Sequence, residues 1–256
     1  MPADNARTFN DPRVVAVYSA TGWLDPGEER SIRRVARECR GGRIVDLGVG
    51  TGRTTGLLTL LSDDYVGLDY APRMLAKARE RFPGVDLRDG DARRLDGIPD
   101  HSARLIMFSY NGIDAVAHED RAGVLAEIVR VLEPGGYAVL SSLNLHGRSA
   151  RPRFHRLLSR DEGLLTPIRR ARRLGRSALN YRRAQSHVRR GDGWAHLPLD
   201  AHECGVLAHF STLSRLREEW ATAGLTVVAI YTDRGRDVTA DEDSDADYFH
   251  YVLRAA

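Results

Sequence analysis

Residues 43–53 read R-I-V-D-L-G-V-G-T-G-R, and this stretch decides the fold. Residues 44–47 are a short apolar run, typical of a buried central strand, with one acid, Asp46, inside it. Three glycines alternate with other residues up to Gly52, and the residues after Arg53 indicate the start of a helix. A strand that passes through glycines into a helix exposes bare backbone to a ligand, because a Cβ there would block close approach.

The acid in this strand helps to choose between ligands. A buried carboxylate at Asp46 is costly unless a partner satisfies it. We therefore expect Asp46 either to cap N–H groups of the loop or to face a positively charged group of a ligand. The nicotinamide and flavin fingerprint, G-x-G-x-x-G, aims a helix N-terminus at a pyrophosphate. This chain has G-x-G-x-G behind an acid, which favours a ligand without phosphates.

Further strands follow, and each is succeeded by polar residues. Residues 65–69 form a second apolar run that ends in Asp69, 23 residues after Asp46, close to the ~20 residues expected in a strand–helix–strand unit. Residues 85–88 predict a third strand, which is followed by Asp91 and Ala92. Residues 103–109 predict a fourth strand that ends in Ser109.

In this order the elements resemble the class I S-adenosylmethionine-dependent methyltransferases, whose first motif has the form V-D-L-G-x-G-T-G-R. The runs P-R-M-L-A-K-A-R (72–79) and R-V-L-E-P-G-G-Y-A-V-L-S-S (130–142) resemble the same family, although Ala71 replaces its usual small polar residue. The resemblance implies an α/β fold with a doubly wound, Rossmann-like, seven-stranded sheet. Its expected strand order is 3-2-1-4-5-7-6, with strand 7 antiparallel and a helical cap inserted after strand 5.

The resemblance also implies the cofactor, S-adenosylmethionine, with S-adenosylhomocysteine as its product. In this family an acid in the place of Asp69 accepts both ribose hydroxyls, and Tyr70 would lie against the adenine. Asp91 and the amide of Ala92 would bind the adenine amino group. Tyr18 lies in an expected N-terminal lid, where packing on the core is the alternative. The complete set expected at the cofactor is Tyr18, Asp46, Gly48, Val49, Gly50, Asp69, Tyr70, Met74, Asp91, Ala92 and Ser109.

Candidates for the chemistry follow the fourth and fifth strands, because ligands of open α/β sheets bind at the carboxyl ends of strands. His146 is the expected general base, since imidazole titrates near neutral pH. The alternative is that His146 only hydrogen-bonds loop backbone. The candidate catalytic residues are His146, Asn111 and His118, and the candidate substrate contacts are Tyr110, Asn144 and Arg148. No metal site is expected, because no convincing helix carries an H-x-x-x-H pair.

The domain organisation follows from where the family pattern stops. Residues 1–146 and 206–256 are predicted to form the cofactor-binding core, with lid helices in 1–40, and residues 147–205 an arginine-rich helical cap. Fourteen arginines and two acids give residues 148–190 a charge of +12, whereas the whole chain carries +3. Such a surface attracts an anionic substrate, a carrier protein or nucleic acid. The alternative is a solvated face whose arginines pair with the acidic loop 237–247.

Composition limits the remaining choices. With 42% hydrophobic and 29% charged residues, the chain is typical of a globular protein. Cys39 and Cys204 form no CxxC pair, which indicates free thiols in a reducing cytoplasm. No apolar run approaches the ~18 residues that span a bilayer, so no membrane partner is expected. The oligomeric state stays open, with a homodimer as one alternative.

The predicted function is transfer of a methyl group from S-adenosylmethionine to an O or N atom of a small metabolite of the natural-product type, with an anionic acceptor as one alternative. A second alternative keeps the cofactor but catalyses a non-methylating reaction. A third alternative acts on RNA or a carrier-bound substrate through the basic cap. Of these, a nucleic acid partner is not expected, because Phe154 and Tyr181 offer little aromatic surface for base stacking. The glycine spacing argues against a nicotinamide oxidoreductase.

Overall fold

Five parallel strands form the centre of the sheet, as the sequence analysis predicts. They are β1 (Ile44–Leu47), β2 (Tyr65–Asp69), β3 (Asp86–Asp89), β4 (Ala103–Phe108) and β5 (Leu132–Asn144). The computed structural model of the chain describes residues 3–20, 22–151, 166–199, 201–239 and 245–256. In it β1 lies between β2 and β4, and every pair from β3 to β5 is parallel.

Two antiparallel strands complete the predicted order. β10 (Tyr248–Ala255) pairs with β5 along seven residues and with β9 (Leu225–Thr232) on its other side. Since β9 and β10 are the sixth and seventh strands of the prediction, the order 3-2-1-4-5-7-6 with an antiparallel strand 7 is confirmed. The first residues of β10 therefore lie at the carboxyl edge of the parallel strands, opposite the end of β5.

Helices cover both faces of this sheet. One apolar cluster joins α3 (Pro26–Cys39), α4 (Thr55–Leu61) and α5 (Pro72–Arg81) to one side of the strands. The other cluster joins α6 (His118–Val131) and α8 (Leu213–Thr222) to the opposite side. Residues 105–108 of β4 alternate between the two clusters, which is why this run is continuously apolar. None of the helices within the described ranges is long and apolar enough to cross a membrane.

The insertion after β5 contains strands that the sequence analysis did not predict. Its long helix, α7 (Thr166–Gln185), agrees with the expected helical cap, while residues 152–165 lie outside the described part of the chain. β6 (Arg189–Gly191) and β7 (Trp194–Leu199) form a hairpin, and β8 (Val206–Ser211) pairs with β7. β8 also extends the main sheet, because Phe210 and Ser211 pair with the last two residues of β5. Residues 206–211, placed in the core by the prediction, thus join the insertion to the core.

Two N-terminal helices lie across the carboxyl edge of the sheet. α1 (Ala3–Phe9) is held by Asn5, whose side chain bonds the backbone N–H and C=O of Leu207 in β8 and the carbonyl of Ala115. α2 (Pro12–Ala20) begins beside α5, where Asn10 binds the backbone and side chain of Arg73. The insertion and the core together therefore fix the place of these helices.

Candidate cofactor and acceptor site

The glycine loop after β1 has the backbone that its sequence predicts. Gly48, Gly50 and Gly52 have φ angles of 63°, 58° and 82°, in the left-handed region that suits glycine. A Cβ on Gly52 would lie 2.6 Å from the ring of Phe82, so that glycine is needed for packing. A Cβ on Gly50 would meet only the carbonyl of Gly48, at 3.9 Å. The backbone of Gly50 thus borders open space, where a ligand can approach it.

Asp69 ties the ends of two strands together. Its Oδ2 accepts the N–H of Gly50 and its Oδ1 accepts the N–H of Ala71, both at 2.7 Å. The side chain is almost wholly buried, and burial raises the pKa of Asp69 to about 6 despite these two hydrogen bonds. Each carboxylate oxygen has a second lone pair, so Asp69 can still accept bonds from a diol beside the loop.

Asp46 has one satisfied and one orphaned oxygen. Its Oδ2 accepts the hydroxyls of Thr54 and Tyr65, at 2.8 and 2.9 Å, whereas its buried Oδ1 has no partner among the described residues. Burial raises the pKa of Asp46 to about 6. Hydroxyl groups thus take the place of the loop N–H groups that the sequence analysis expected on Asp46. An unpaired carboxylate oxygen near the carboxyl end of β1 is suited to a cationic group of a ligand, and that expectation stays a prediction.

An aromatic row crosses this edge of the sheet from β2 to β4. The ring of Phe9 lies edge-on to Tyr70 and to Tyr18, and Tyr18 lies edge-on to Tyr110, with centroid separations of 6.1–6.4 Å. Three of these rings are expected site residues that the structure brings together, and Phe9 was missed. The hydroxyl of Tyr70 is buried without a partner among the described residues. The N-terminal lid therefore packs directly on the positions expected to hold the adenosine.

The turn after β4 is strained and close to this row. Tyr110 and Asn111 have φ angles of 51° and 60°, uncommon for residues with side chains. The N–H of Asn111 donates to Ser141 Oγ in β5 at 2.7 Å, and its buried Oδ1 has no partner within the described ranges. Residues in such conformations cluster at functional sites. Asn111 and the 38% exposed Tyr110 are thus well placed to meet an acceptor.

Other expected cofactor residues have different surroundings. Val49 and Met74 are buried, and the side chain of Val49 belongs to the core, so only its backbone can serve a ligand. Asp91 is held by a forked ion pair with Arg93, which keeps the pKa of Asp91 below its usual range. Ala92 packs against the core beside it. Asp91 therefore lies on an exposed turn with its carboxylate already engaged.

The expected residues after β5 are spread around the junction with the insertion. Asn144 is buried, and its amide binds the carbonyl of Ala246 and the N–H of His146, so it holds the chain rather than facing open space. His146 is exposed. Arg148 is also exposed and lies 3.4 Å from Asp245. Of the three, only His146 carries an imidazole ring, and it lies two residues after the end of β5.

His118 has contacts of a different kind. Its ring stacks on Trp194 at 3.7 Å, and its Nδ1 lies 3.0 Å from Nε2 of His209. Burial lowers the pKa of His118, and it lowers that of the neighbouring His196 to about 4. These neutral rings join the first turn of α6 to β7 and β8. The structure thus gives His118 a packing role at the insertion.

Besides Phe9, two site features were missed by sequence reasoning. Arg53, directly after the third glycine, forms a buried, forked ion pair with Glu28 of α3 and also donates to Ser109 at 3.2 Å. Asp25, the residue that caps α3, accepts the hydroxyl of Tyr248 at 2.9 Å and lies 2.8 Å from Nε2 of His250. The D-P-G-E sequence at 25–28 signals this helix start, but nothing local in it announces these long-range partners.

The comparisons agree with this geometry. Residues 44–136 match the family model described as a methyltransferase domain. A protein of Mycolicibacterium smegmatis named as a probable S-adenosylmethionine-dependent methyltransferase is 32% identical over 113 residues, which are 44% of this chain and 42% of that protein. Trans-aconitate 2-methyltransferase of Methylobacterium nodulans is 36% identical over 124 residues, 47% and 44% of the two chains. The chain matches less than half the length of these two relatives.

A solved structure extends the likeness to the whole fold. The 1,6-didemethyltoxoflavin-N1-methyltransferase of Burkholderia thailandensis, with bound substrate and S-adenosylhomocysteine, superposes with a TM-score of 0.59. The superposition covers 99% of this chain and 86% of the solved chain, at 16% sequence identity, so the likeness concerns the fold alone. Residues 44–136 are thus similar to a methyltransferase domain, and the fold is similar to that of a solved methyltransferase.

Proposed function

We propose that the protein binds S-adenosylmethionine and transfers its methyl group to an O or N atom of a small metabolite. The observation that carries this proposal is the pair of buried acids around the glycine loop. Asp69 accepts the N–H of Gly50 in the loop and keeps further lone pairs available, and Asp46 has a buried carboxylate oxygen without a partner among the described residues. A ribose diol and an ammonium group are the two parts of this cofactor that such acids bind. A pyrophosphate would be repelled by both.

The fit extends to the adenine side. Tyr70 and the lid residue Tyr18 provide aromatic surface next to Asp69. The open space beside Gly50 leaves the loop backbone accessible. These residues would hold the adenosine, while Asp46 would hold the cationic end of the methionine.

The chain's own part in the reaction is positioning. Bound S-adenosylmethionine supplies a methyl group on a sulfonium, which a nucleophile attacks in line, so the protein must orient the acceptor and accept its proton. Tyr110 and Asn111 at the end of β4 are proposed to orient the acceptor. His146 is proposed as the group that receives the proton, and Arg148 as a contact for an acidic acceptor.

The acceptor is proposed to be a small molecule. The two relatives and the solved structure described above include enzymes named for trans-aconitate and for didemethyltoxoflavin, both small molecules. An acidic acceptor is supported by the arginines of the insertion. In the described part of α7, Arg176 pairs with Glu203, and no ion pair is seen for Arg172, Arg182 or Arg183. Asp245 of the acidic loop reaches Arg148 instead of α7.

The test is a product-mass assay. The protein is incubated with S-adenosylmethionine and a panel of polycarboxylates, phenols and amines, and each acceptor is examined by mass spectrometry for one added methyl group. Formation of S-adenosylhomocysteine together with a methylated acceptor supports the proposal. An acceptor altered without gaining a methyl group would instead support the non-methylating alternative. Methylation of RNA or a carrier protein that weakens steeply with salt would support the third reading.

A further inference from the structure

Arg53 connects the glycine loop to the start of α3 through a buried ion pair. Both terminal nitrogens of its guanidinium bind the carboxylate of Glu28, with Nη2 2.7 Å from Oε1. The side chain of Arg53 is 9% exposed and that of Glu28 is fully buried. Arginine presents a planar fork that matches a carboxylate, so this pair fixes the direction of the guanidinium as well as its charge.

The same guanidinium reaches two other segments. Nη1 donates to the carbonyl of Trp23 and Nη2 donates to Oγ of Ser109, both at 3.2 Å. Its central carbon lies 4.9 Å from the centre of the Tyr110 ring, within the range of a cation–π contact. One buried cation, carried by a residue of the glycine loop, therefore contacts both the segment before α3 and the end of β4.

These contacts lead on to α2. The ring of Tyr110 lies edge-on to Tyr18 of α2, with centroids 6.1 Å apart. On the outer side, Val17 and Trp23 are 60% and 58% exposed, so the core covers little of them. Segments with few buried contacts open most readily. Beside the contacts of Asn10 and Phe9, the path from Tyr18 through Tyr110 thus connects α2 to Arg53, and the carbonyl of Trp23 binds the same guanidinium.

The backbone of the loop connects Arg53 to the open space beside Gly50. Arg53 is three residues after Gly50, whose N–H is held by Asp69 and which borders open space. A cofactor seated there would restrict the loop and, through it, the guanidinium. A ligand shifts a conformational equilibrium only if it interacts differently with the two states. A lid that contacts the cofactor through Tyr18 provides this difference.

We propose that Arg53 is a positioning residue that couples occupancy of the glycine loop to closure of α2 and Trp23 over the site. The inference rests on the proposed function, because the occupant is S-adenosylmethionine or its product. Arg53 needs no contact with the reacting atoms. It holds the ring of Tyr110 and the carbonyl of Trp23 where the closed lid requires them.

The experiment is hydrogen exchange followed by mass spectrometry on peptides from residues 11–24, without ligand and with saturating S-adenosylhomocysteine. In the wild type we expect the ligand to slow exchange in these peptides at least about tenfold. Arg53→Lys keeps the charge but loses the fork, and we expect its ligand-induced slowing to fall below about twofold. Arg104→Lys is the matched control, since Arg104 binds Glu133 and the carbonyl of Glu38 near the opposite edge of the sheet.

The readouts separate coupling from a merely structural role. Loss of structure would raise exchange in the ligand-free variant, whereas loss of coupling leaves ligand-free exchange unchanged and removes the ligand effect. Slowing in Arg53→Lys equal to that of the wild type overturns the inference. If Arg53→Lys does not fold, Tyr110→Asn decides the question, because asparagine tolerates the φ of 51° and removes the ring. Tyr110→Asn should also lose the ligand-induced slowing of exchange. Slowing equal to that of the wild type in Tyr110→Asn overturns the inference.

Calorimetry on the wild type distinguishes this inference from the proposed function. Absence of S-adenosylhomocysteine binding would contradict the proposed function and the inference together. Binding to the wild type without protection of residues 11–24 would contradict only the coupling through Arg53.

Discussion

Replacement of Asp69 by alanine separates the ligand role of this carboxylate from its structural role. Alanine removes the acceptor for the N–H groups of Gly50 and Ala71. Each N–H left unsatisfied in a buried place costs about 1–3 kcal/mol. Against this, a pKa of about 6 in place of 3.8 means that folding disfavours the charged carboxyl by about 3 kcal/mol at neutral pH.

These two effects have opposite signs and similar size. We therefore expect Asp69→Ala to change the free energy of unfolding by no more than about 3 kcal/mol, because relief of the buried charge offsets much of the loss of two hydrogen bonds. Binding of S-adenosylmethionine should suffer more clearly. One hydrogen bond to a charged acceptor contributes about 1.5–3 kcal/mol, which corresponds to at least about a tenfold weaker affinity.

Titration calorimetry with S-adenosylmethionine measures the affinity, and urea unfolding measures the stability. Asp64→Ala is the control, since Asp64 precedes β2 at the amino edge and is 49% exposed beside Arg43. It should bind the cofactor as the wild type does. Wild-type affinity in a folded Asp69→Ala would refute the ribose assignment. Loss of folding would refute the balance of energies given above.

Three further predictions address the loop, the pH dependence and the base. Gly50→Ala should fold, at a cost of about 1–2 kcal/mol for its left-handed backbone, yet calorimetry should show a loss of cofactor affinity. Gly52→Ala should instead lose thermal stability, because its added methyl group meets the ring of Phe82. Wild-type cofactor affinity in Gly50→Ala would contradict a ligand at the loop. Cofactor affinity should rise by about tenfold per carboxylate between pH 5 and 7 as Asp46 and Asp69 lose their protons. The contribution of these two carboxyls to the free energy of unfolding of the ligand-free protein should fall as the pH rises from about 4 to 6, because the folded carboxyls keep their protons to a higher pH than unfolded ones. A flat binding profile would argue against the two acids. His146→Ala should slow methyl transfer to an acceptor found in the product-mass assay and leave calorimetric cofactor affinity intact, and normal turnover would exclude His146 as the base.

The central sheet was predictable because its signals are local. β1, β2 and β4 are short, mostly apolar strands, and each has a polar residue at or next to its carboxyl end, namely Asp46, Asp69 and Ser109. Since parallel strands share their carboxyl edge, placing Asp46 and Asp69 near the ends of two adjacent strands is enough to predict that both lie at this edge. Alternation of neighbouring residues between two apolar clusters fixes the layers in the same way.

The hairpin in the insertion was missed although a local signal exists. Asp192 and Gly193 form the two-residue turn between β6 and β7, with a φ of 68° at Gly193, and an Asp-Gly pair between strands is a strong hairpin signal. The strand pattern of β7 was hard to recognise, because the polar His196 and the strand-breaking Pro198 stand next to the apolar Ala195 and Leu197. His196 is nevertheless buried, packed against Trp194 and His209.

The partners of Arg53 and Asp25 had no local signal. Arg53 meets Glu28 from 25 residues away, and Asp25 meets His250 from the other end of the chain. Each pair forms because the start of α3 is pressed against the carboxyl edge, where a Cβ on Gly27 would lie 2.6 Å from the ring of His250. Such side-chain pairs depend on the assembled sheet and cannot be derived from spacing in the sequence.

The central claim is that the glycine loop and its two acids bind S-adenosylmethionine. The most direct test is native mass spectrometry of the purified protein, followed by calorimetric titration with S-adenosylmethionine and, separately, with NADH. We predict co-purified or titratable S-adenosylmethionine or S-adenosylhomocysteine at one per chain, and no NADH binding. NADH binding without either of the other two would contradict the assignment of Asp46 and Asp69, and the proposed methyl transfer with it.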